Sequence, residues 1–419
     1  MTLKVWTVNE SDAVGGAARA AARIHRALRQ RGVESTMWVE RASTGDKSVE
    51  SVPGEAAKVA RTLRPWVGHL ARRVMRSANP VLHSAAVLPS SWPGRFNRSD
   101  ADIVHLHWIC AEMMSVEDIG RIRKPIVWTL HDMWPFCGAE HYTDDTRWVS
   151  GYASSNRASG ESGLDLNRWT WRRKRRAWSV PMHVVAPSHW LADCARRSLL
   201  MRDWPVSVIP NPIDARAWEP VDKLLARRLL GLPEDGHFLA FGAMGGGRDP
   251  RKGLDLLAGA LQHLRGASAL RLIVFGQSEP REVPDFGFPA HYTGHLHDDI
   301  SLRLVYSAAD ALVIPSRQDN LPNTGVEALA CGTPVIAFDT GGLPDIVQHQ
   351  VTGWLARSFD ASHMADGIRW MLSSDERRAQ LGRNAREAAC QRFSPARVAD
   401  QYLHLYEQAL RGHGVAVAA

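Results

Sequence analysis

Two stretches of this chain repeat one order of elements: a short apolar run, a glycine-bearing loop, a helical pattern and a further apolar run. In the first, LKVWTVN (3–9) leads into a loop with Gly15 and Gly16. An alanine-rich helical pattern from Ala17 to Gln30 follows, closed by Gly32, and then the run ESTMWVE (34–40). Further runs lie at 101–108, 124–131 and 182–188. The second series begins after IPNPID (209–214). There HFLAFGAM (237–244) is followed by GGGRDPRKG (245–253), a helical pattern from Leu254 to Leu264, and runs at 271–276, 311–316 and 334–339. Short apolar runs that alternate with helices bury their residues as parallel strands covered by helices. The expected fold is therefore α/β, with two Rossmann-like parallel-sheet domains at 1–208 and 209–395. The proline-rich IPNPID is the natural linker. A last helical pattern from Pro395 to Arg411 is expected to pack, with the tail to 419, on the N-terminal domain. Residues 41–98 are less periodic and hold one helix candidate, with Leu63, Trp66, Val67, Leu70 and Val74 on one face and Pro65 in its first turn or at a kink. Ligands of doubly wound sheets bind outside the C-terminal strand ends, so two such edges facing each other would form a cleft for joining two substrates.

Bulk properties narrow the class. The 419 residues suit two to three domains. No run of 18 apolar residues appears, and the start MTLKVWTVNE lacks the layout of a signal peptide. Five scattered cysteines argue for a reducing compartment, so a cytoplasmic location is expected. The net charge of +7 is clustered. Residues 58–76 carry Lys58, Arg61, Arg64, Arg72, Arg73 and Arg76 against no acid. Residues 168–176 carry five arginines and Lys174, flanked by Trp169, Trp171 and Trp178. That second cluster fits peripheral contact with anionic lipid on the inner face of a membrane. It fits equally an ordinary helix packed by its tryptophans with arginine heads in water. Nucleic acid is not an expected partner, because buried parallel strands offer no exposed aromatic face.

Two segments carry chemistry. In Gly245–Gly253, glycines allow close backbone approach to phosphate, and Arg248 and Lys252 can neutralise a diphosphate. A solvated basic turn is the plainer alternative. In the stretch from Pro315 to Asp345, Asp319 follows a strand and Glu327 lies on the first turns of the next helix. Such carboxylates suit the hydroxyls of a sugar and of ribose. Alternatively Asp319 or Asn320 is merely an N-cap and Glu327 a surface charge. The Gly341–Gly342 turn that follows makes the whole constellation harder to explain that way. His131 ends the run IVWTLH at the ligand edge, where a structural role is also open. His105 and His107 alternate along one strand, and His107 is expected as a core residue or a group facing the cleft. Asp100 and Asp102 match a DxD metal motif but precede their strand, at the wrong edge for one. No metal site and no cofactor are expected. Cys137 and His141 lack a downstream CxxC for zinc.

The second half resembles the retaining glycosyltransferases of family 4, which have the GT-B fold. The resemblance rests on the Arg248/Lys252 loop, FGQ (275–277), DNLPNTGVEALACGTPV (319–335), Gly341–Gly342 and TGWL (352–355). The family signature is Glu, seven residues, Glu. Here Asp319 takes the first place and Glu327 the second, which bears on the identity of the sugar. The first half resembles a subgroup with HDMWPF-type loops, read here from His131 to Gly138. The resemblance implies transfer of a hexosyl unit from a nucleoside diphosphate sugar (GDP- or UDP-sugar) to a hydroxyl, with retention. Arg248 and Lys252 would hold the diphosphate without a metal, and Glu327 the ribose. Asp319 would hold the transferred sugar, assisted by Asn320, Leu321, Pro322 and Asn323. His131 would lie near the reacting centre, and Gly15 and Gly16 would face donor phosphates or acceptor. A glycan or lipid-linked glycan acceptor, as in cell-surface polysaccharide or lipopolysaccharide biosynthesis, is expected, the lipid-linked form because the tryptophan and arginine clusters lie in the acceptor half. A nucleotide-sugar 2-epimerase and a catalytically silent nucleotide-sugar-binding subunit are the alternatives.

Overall fold

The computed structural model describes residues 2–54, 62–64, 66–68, 70, 73, 75–77, 79–242, 249–266, 269–280, 284–296 and 298–418. Gly245, Gly246, Gly247 and Arg248 lie outside the described residues, as do Pro65 and Val74. The chain divides into two compact units, one of 1–211 with 396–419 and one of 212–395.

The first unit is built on β1 (Lys4–Ser11), β2 (Glu34–Arg41), β3 (Val49–Ser51), β5 (Ile103–Leu106), β6 (Ile126–Thr129), β8 (His183–Ala186) and β9 (Val206–Val208). A separate antiparallel pair joins β4 (Met75–Arg76) and β7 (Ser162–Gly163). The sheet order is β3-β2-β1-β5-β6-β8-β9, all parallel. The chain runs outward from β1 in one direction, then restarts at β5 and runs in the other. The direction therefore switches between β1 and β5, and a crevice opens there at the strand ends. Strand β5 ends at Leu106, short of its apolar run, although the His107 amide still donates to the Val8 carbonyl of β1 at 2.9 Å. The Trp108 amide donates to the Asn9 side chain at 2.9 Å instead of to a strand.

The C-terminal helix Pro395–Ala418 belongs to this unit. Val398, Tyr402, Leu405 and Tyr406 share a core with Val5, Ile24, Leu28, Ile103 and Val127. Its two tyrosines also make polar contacts below the sheet. The Tyr402 hydroxyl lies 2.9 Å from Thr129 Oγ1, and the Tyr406 hydroxyl 2.7 Å from His105 Nδ1.

The second unit holds β10 (His237–Gly242), β11 (Leu270–Phe275), β12 (Ala290–Tyr292), β13 (Ala311–Ile314), β14 (Val335–Phe338) and β15 (Gly353–Ala356), in the order β12-β11-β10-β13-β14-β15. Every pairing is parallel. The switch point falls between β10 and β13. Two apolar layers cover the faces of the sheet, one from Phe238, Ile273, Tyr306 and Leu329, the other from Leu239, Leu272, Leu261 and Ile368.

Of the two readings of the basic tryptophan segment, the packing of two of its tryptophans fits the ordinary helix. The segment forms the helix Leu166–Ala177, and Trp171 and Trp178 are core side chains. Lys174, expected among the exposed cations, is fully buried. Its ammonium donates to the carbonyls of Trp134, Cys137 and Gly138 and sits over the Trp134 ring. Burial lowers its pKa. Lys174 thus ties the 134–138 turn to this helix, and a run of charge in sequence conceals an inward-facing residue at helical spacing. Arg173 pairs with Glu117 and stacks on Trp169.

The helix candidate of 62–73 is helical at its described positions, but its apolar residues point outward. Leu63, Trp66 and Leu70 are 58, 70 and 61% exposed. No helix among the described residues is long and apolar enough to cross a membrane.

Candidate functional site

In the second unit the site grows from close backbone packing at the strand ends. Gly253 takes a left-handed φ of 65°, and a Cβ there would lie 1.9 Å from the Pro315 carbonyl oxygen. The loop after β10 therefore lies directly on the loop after β13. The Arg317 amide confirms the contact by donating to the Arg251 carbonyl at 2.7 Å. Gly341 closes the other side. Its φ is 57°, a Cβ would meet the Asp319 carbonyl oxygen at 2.5 Å, and the Gly342 amide donates to that oxygen at 2.9 Å. Only glycine fits such approaches without strain.

This packing fixes Asp319 and brings Lys252 to it from 67 residues away. Lys252 Nζ lies 2.6 Å from Asp319 Oδ2. The Asn320 amide donates to Oδ1 at 3.1 Å, and the Ser316 hydroxyl to Oδ2 at 3.3 Å. Asp319 is buried, which opposes its ionisation. The Lys252 ammonium and the Asn320 amide outweigh this and hold its pKa below the usual carboxylate value. Asp319 is thus a hydrogen-bond acceptor at neutral pH.

Past Asp319, the chain turns through Asn320, Leu321 and Pro322 into the helix Asn323–Ala330. Pro322 stands at the N-cap, so neither Asp319 nor Asn320 is the cap residue that the plainer reading requires. The first amides of a helix lack intrahelical partners and suit an anion. Gly325 lets this helix pack closely on β13, since a Cβ would sit 3.0 Å from Ile314. Glu327 is 1% exposed, so it is no surface charge. Its Oε2 accepts from the Tyr306 hydroxyl at 3.0 Å. The Tyr306 ring meets Phe275 edge-on at 5.6 Å, which ties Glu327 to the Phe275–Gly276–Gln277 turn. Tyr306 had no sequence signal, since an aromatic on a core helix looks like packing.

The first unit presents a second polar edge at its own switch point. Gly15, at φ 90°, precedes the helix Gly16–Gln30, so this helix points its N-terminus along the same edge as the ends of β1 and β5. Asn9 joins the two strand ends. Its side chain donates to the Ser11 carbonyl at 2.6 Å and accepts from Trp108 at 2.9 Å. His131, just past β6, is half-buried. Its Nε2 lies 3.1 Å from Nδ1 of the buried His107. Burial pulls the His131 pKa down to about 4, against a weaker opposing effect of Asp132, so the ring is neutral at pH 7.

Asp132 is a positioning group that the sequence left unused. Its Oδ2 accepts from Trp108 Nε1 at 3.0 Å and lies 2.6 Å from His141 Nδ1, while Oδ1 accepts from the Trp134 amide at 2.9 Å. His141, considered above as half of an absent zinc site, is committed to Asp132 and to Ser84. Asp100 and Asp102 are both engaged by Lys4 at the start of β5. Among the described residues, no group of three His, Cys, Asp or Glu side chains gathers as a metal site. All five cysteines are free thiols.

The structure therefore groups Lys252, Asp319, Asn320, Leu321, Pro322, Asn323 and Glu327 in one unit, and Gly15, Gly16 and His131 in the other. Arg248 lies outside the described residues.

Two families cover most of the chain. Residues 14–217 match the family described as Glycosyltransferase Family 4, and residues 243–388 match Glycosyl transferases group 1. The chain belongs to the family 4 glycosyltransferases. Both of its parallel sheets carry the GT-B fold of that family. A D-inositol 3-phosphate glycosyltransferase of Segniliparus rotundus is 34% identical over 223 residues, 50% of this chain and 49% of that protein. The chain spans about half the length of this relative and of others like it. A protein of the same name from Xylanimonas cellulosilytica is 28% identical over 93% of this chain and 90% of its own length. Among solved structures, Anabaena HepE in complex with UDP and glucose is similar in fold. Its TM-score is 0.66 at 17% identity, covering 97% of this chain and 100% of that one.

The glycine packing around Asp319 generates a direct test. Gly341 and Gly332 are both left-handed, at φ 57° and 69°. A Cβ at Gly332 would meet nothing closer than 3.5 Å, whereas one at Gly341 would meet the Asp319 carbonyl oxygen at 2.5 Å. Each alanine substitution incurs roughly 1–2 kcal/mol of backbone strain. Gly341→Ala should incur at least about 1 kcal/mol more through the clash. Urea unfolding of the two variants measures the difference, and equal losses would show that the approach to Asp319 is not tight.

Proposed function

We propose that this chain is a retaining glycosyltransferase that moves a hexosyl unit from a nucleoside diphosphate sugar to a hydroxyl of a glycan or lipid-linked glycan. The observation that carries the proposal is the Lys252–Asp319 ion pair beside the start of helix Asn323–Ala330, with Glu327 buried one turn further on. A cation and helix amides suit a diphosphate. A fixed carboxylate suits sugar hydroxyls, and a second suits ribose. As the sugar leaves, charge grows on the diphosphate, and Lys252 with the helix amides offsets it. Arg248 is proposed as a second such cation. His131 is proposed to hydrogen-bond the transferred sugar as a neutral donor, and Gly15 and Gly16 to admit a phosphate or acceptor close to the backbone. Retention is the family's implication. It requires no general-base carboxylate if the leaving phosphate takes the acceptor's proton. The UDP and glucose bound by Anabaena HepE support a nucleotide-sugar donor, for which UDP- and GDP-sugars are the two candidates.

Thermal denaturation with UDP, GDP, ADP and dTDP, each with and without EDTA, tests the donor site. A nucleotide at 100 times its dissociation constant should add about 2.7 kcal/mol of stability. One nucleotide should raise the melting temperature, undiminished by EDTA, and Asp319→Ala should abolish transfer. No shift with any nucleotide, or full transfer by Asp319→Ala, would contradict the proposal.

The outward apolar residues of 62–73 favour a membrane-linked acceptor. Trp66, Leu63 and Leu70 are exposed in a stretch rich in arginine and free of acids. That pairing suits shallow insertion into an anionic surface. We expect the full chain to sediment with vesicles containing phosphatidylserine in preference to neutral ones at low salt, and Trp66→Glu to weaken this. Equal binding to both vesicle types would remove membrane contact from the proposal.

A further inference from the structure

A buried imidazole has two nitrogens to satisfy. His105 satisfies both, with Nδ1 at 2.7 Å from the Tyr406 hydroxyl and Nε2 at 2.8 Å from Thr129 Oγ1. His107 satisfies one. Its Nδ1 faces His131 Nε2 at 3.1 Å, while its Nε2 is buried with no hydrogen-bond partner among the described residues. Two neighbouring rings pack against it, His105 at 4.2 Å and His131 at 5.3 Å between centroids. Its backbone is held by the His107 amide on the Val8 carbonyl and by Trp128 Nε1 on the His107 carbonyl.

Burial keeps both rings neutral, so each carries one proton. Only one proton fits in the gap separating them. If His131 donated from Nε2, His107 would carry its own proton on Nε2, a buried N–H with no acceptor. If His107 donates from Nδ1, its Nε2 is instead a buried lone pair with no donor. Orphaned buried N–H groups are the rarer kind, because the desolvated donor has no compensation.

We infer that His107 donates from Nδ1 to His131 Nε2 and thereby fixes His131 in the tautomer protonated on Nδ1. The His131 nitrogen that does not face His107 is then a hydrogen-bond donor with no net charge. Such a group can polarise or hold a sugar oxygen but cannot act as a base there. His107 is a positioning residue, acting through His131. This assignment deepens the proposed function and rests on its reading that His131 contacts the sugar.

Two-bond proton–nitrogen correlation spectra of the full chain, labelled with ¹⁵N-histidine, read the tautomer directly. In the unaltered protein His131 should carry its proton on Nδ1. His107→Phe keeps a ring in the stack but removes the donor. In it His131 should become a mixture of tautomers, and kcat should fall roughly tenfold, the scale of one hydrogen bond, with the donor KM unchanged. His107→Gln, whose amide can donate, should restore the Nδ1 tautomer and most of kcat. A proton on His131 Nε2 in the unaltered protein overturns the inference, even if the Phe variant does not fold. So does an unchanged His131 tautomer in a folded His107→Phe. Full transfer by His131→Ala would instead sink the sugar-contact reading, while the spectrum would still decide the tautomer.

Discussion

The second unit depends on one constraint: the loops after β10, β13 and β14 must touch backbone to backbone. Gly253 and Gly341 make that possible, and neither would tolerate a side chain. Because the loops touch, Lys252 reaches Asp319, and the buried carboxylate stays ionised. An ion pair taken this far from water contributes little stability on balance, but removing one partner leaves the other charge uncompensated. The pair is therefore better understood as a device that holds an acceptor and a cation side by side. Asp319 is one methylene shorter than the family's Glu at this place. Here that shorter side chain meets Lys252 at 2.6 Å while its other oxygen takes the Asn320 amide.

The first unit solves a similar problem through a wider set of buried polar groups, Asp132 and Lys174 among them. At its switch point Asn9 joins β1 to the chain leaving β5, and Asp132 gathers Trp108, Trp134 and His141. Lys174 holds the 134–138 turn from beneath through three carbonyls. His105, His107 and His131 lie between these anchors as neutral rings, the first two buried and the third half-buried. Strength in this unit comes from satisfied polar groups in an apolar surrounding, where each unpaired donor would be costly. The C-terminal helix is part of that arrangement, because Tyr402 and Tyr406 reach Thr129 and His105.

Much of this was legible in the sequence, for identifiable reasons. Parallel strands buried on both faces read as continuous apolar runs, so β1, β10, β11, β13 and β14 stood out, while β2 alternates in burial and was marked by its place after the first helix. Strands β9 and β12 are three residues long and carry too little pattern. The stretch from Asp319 to Glu327 was legible because its turn residues and carboxylates are local. The Lys252–Asp319 and Tyr306–Glu327 partnerships were not, since they join residues far apart in the chain through packing alone. Charge misled at Lys174, where a cation within a basic run faces inward. Periodicity misled in the other direction at Leu63, Trp66 and Leu70, where an apolar helical face points outward.

Hydrogen exchange on the full chain, with UDP and then GDP added, tests most directly whether the donor site lies on the Lys252–Asp319–Glu327 constellation. With one of the two nucleotides present, the amides of 249–253 and 320–327 should exchange more slowly than without it. If those segments exchange at unchanged rates while the nucleotide slows amides elsewhere, the donor is not held there, and the roles given to Lys252, Asp319 and Glu327 are wrong.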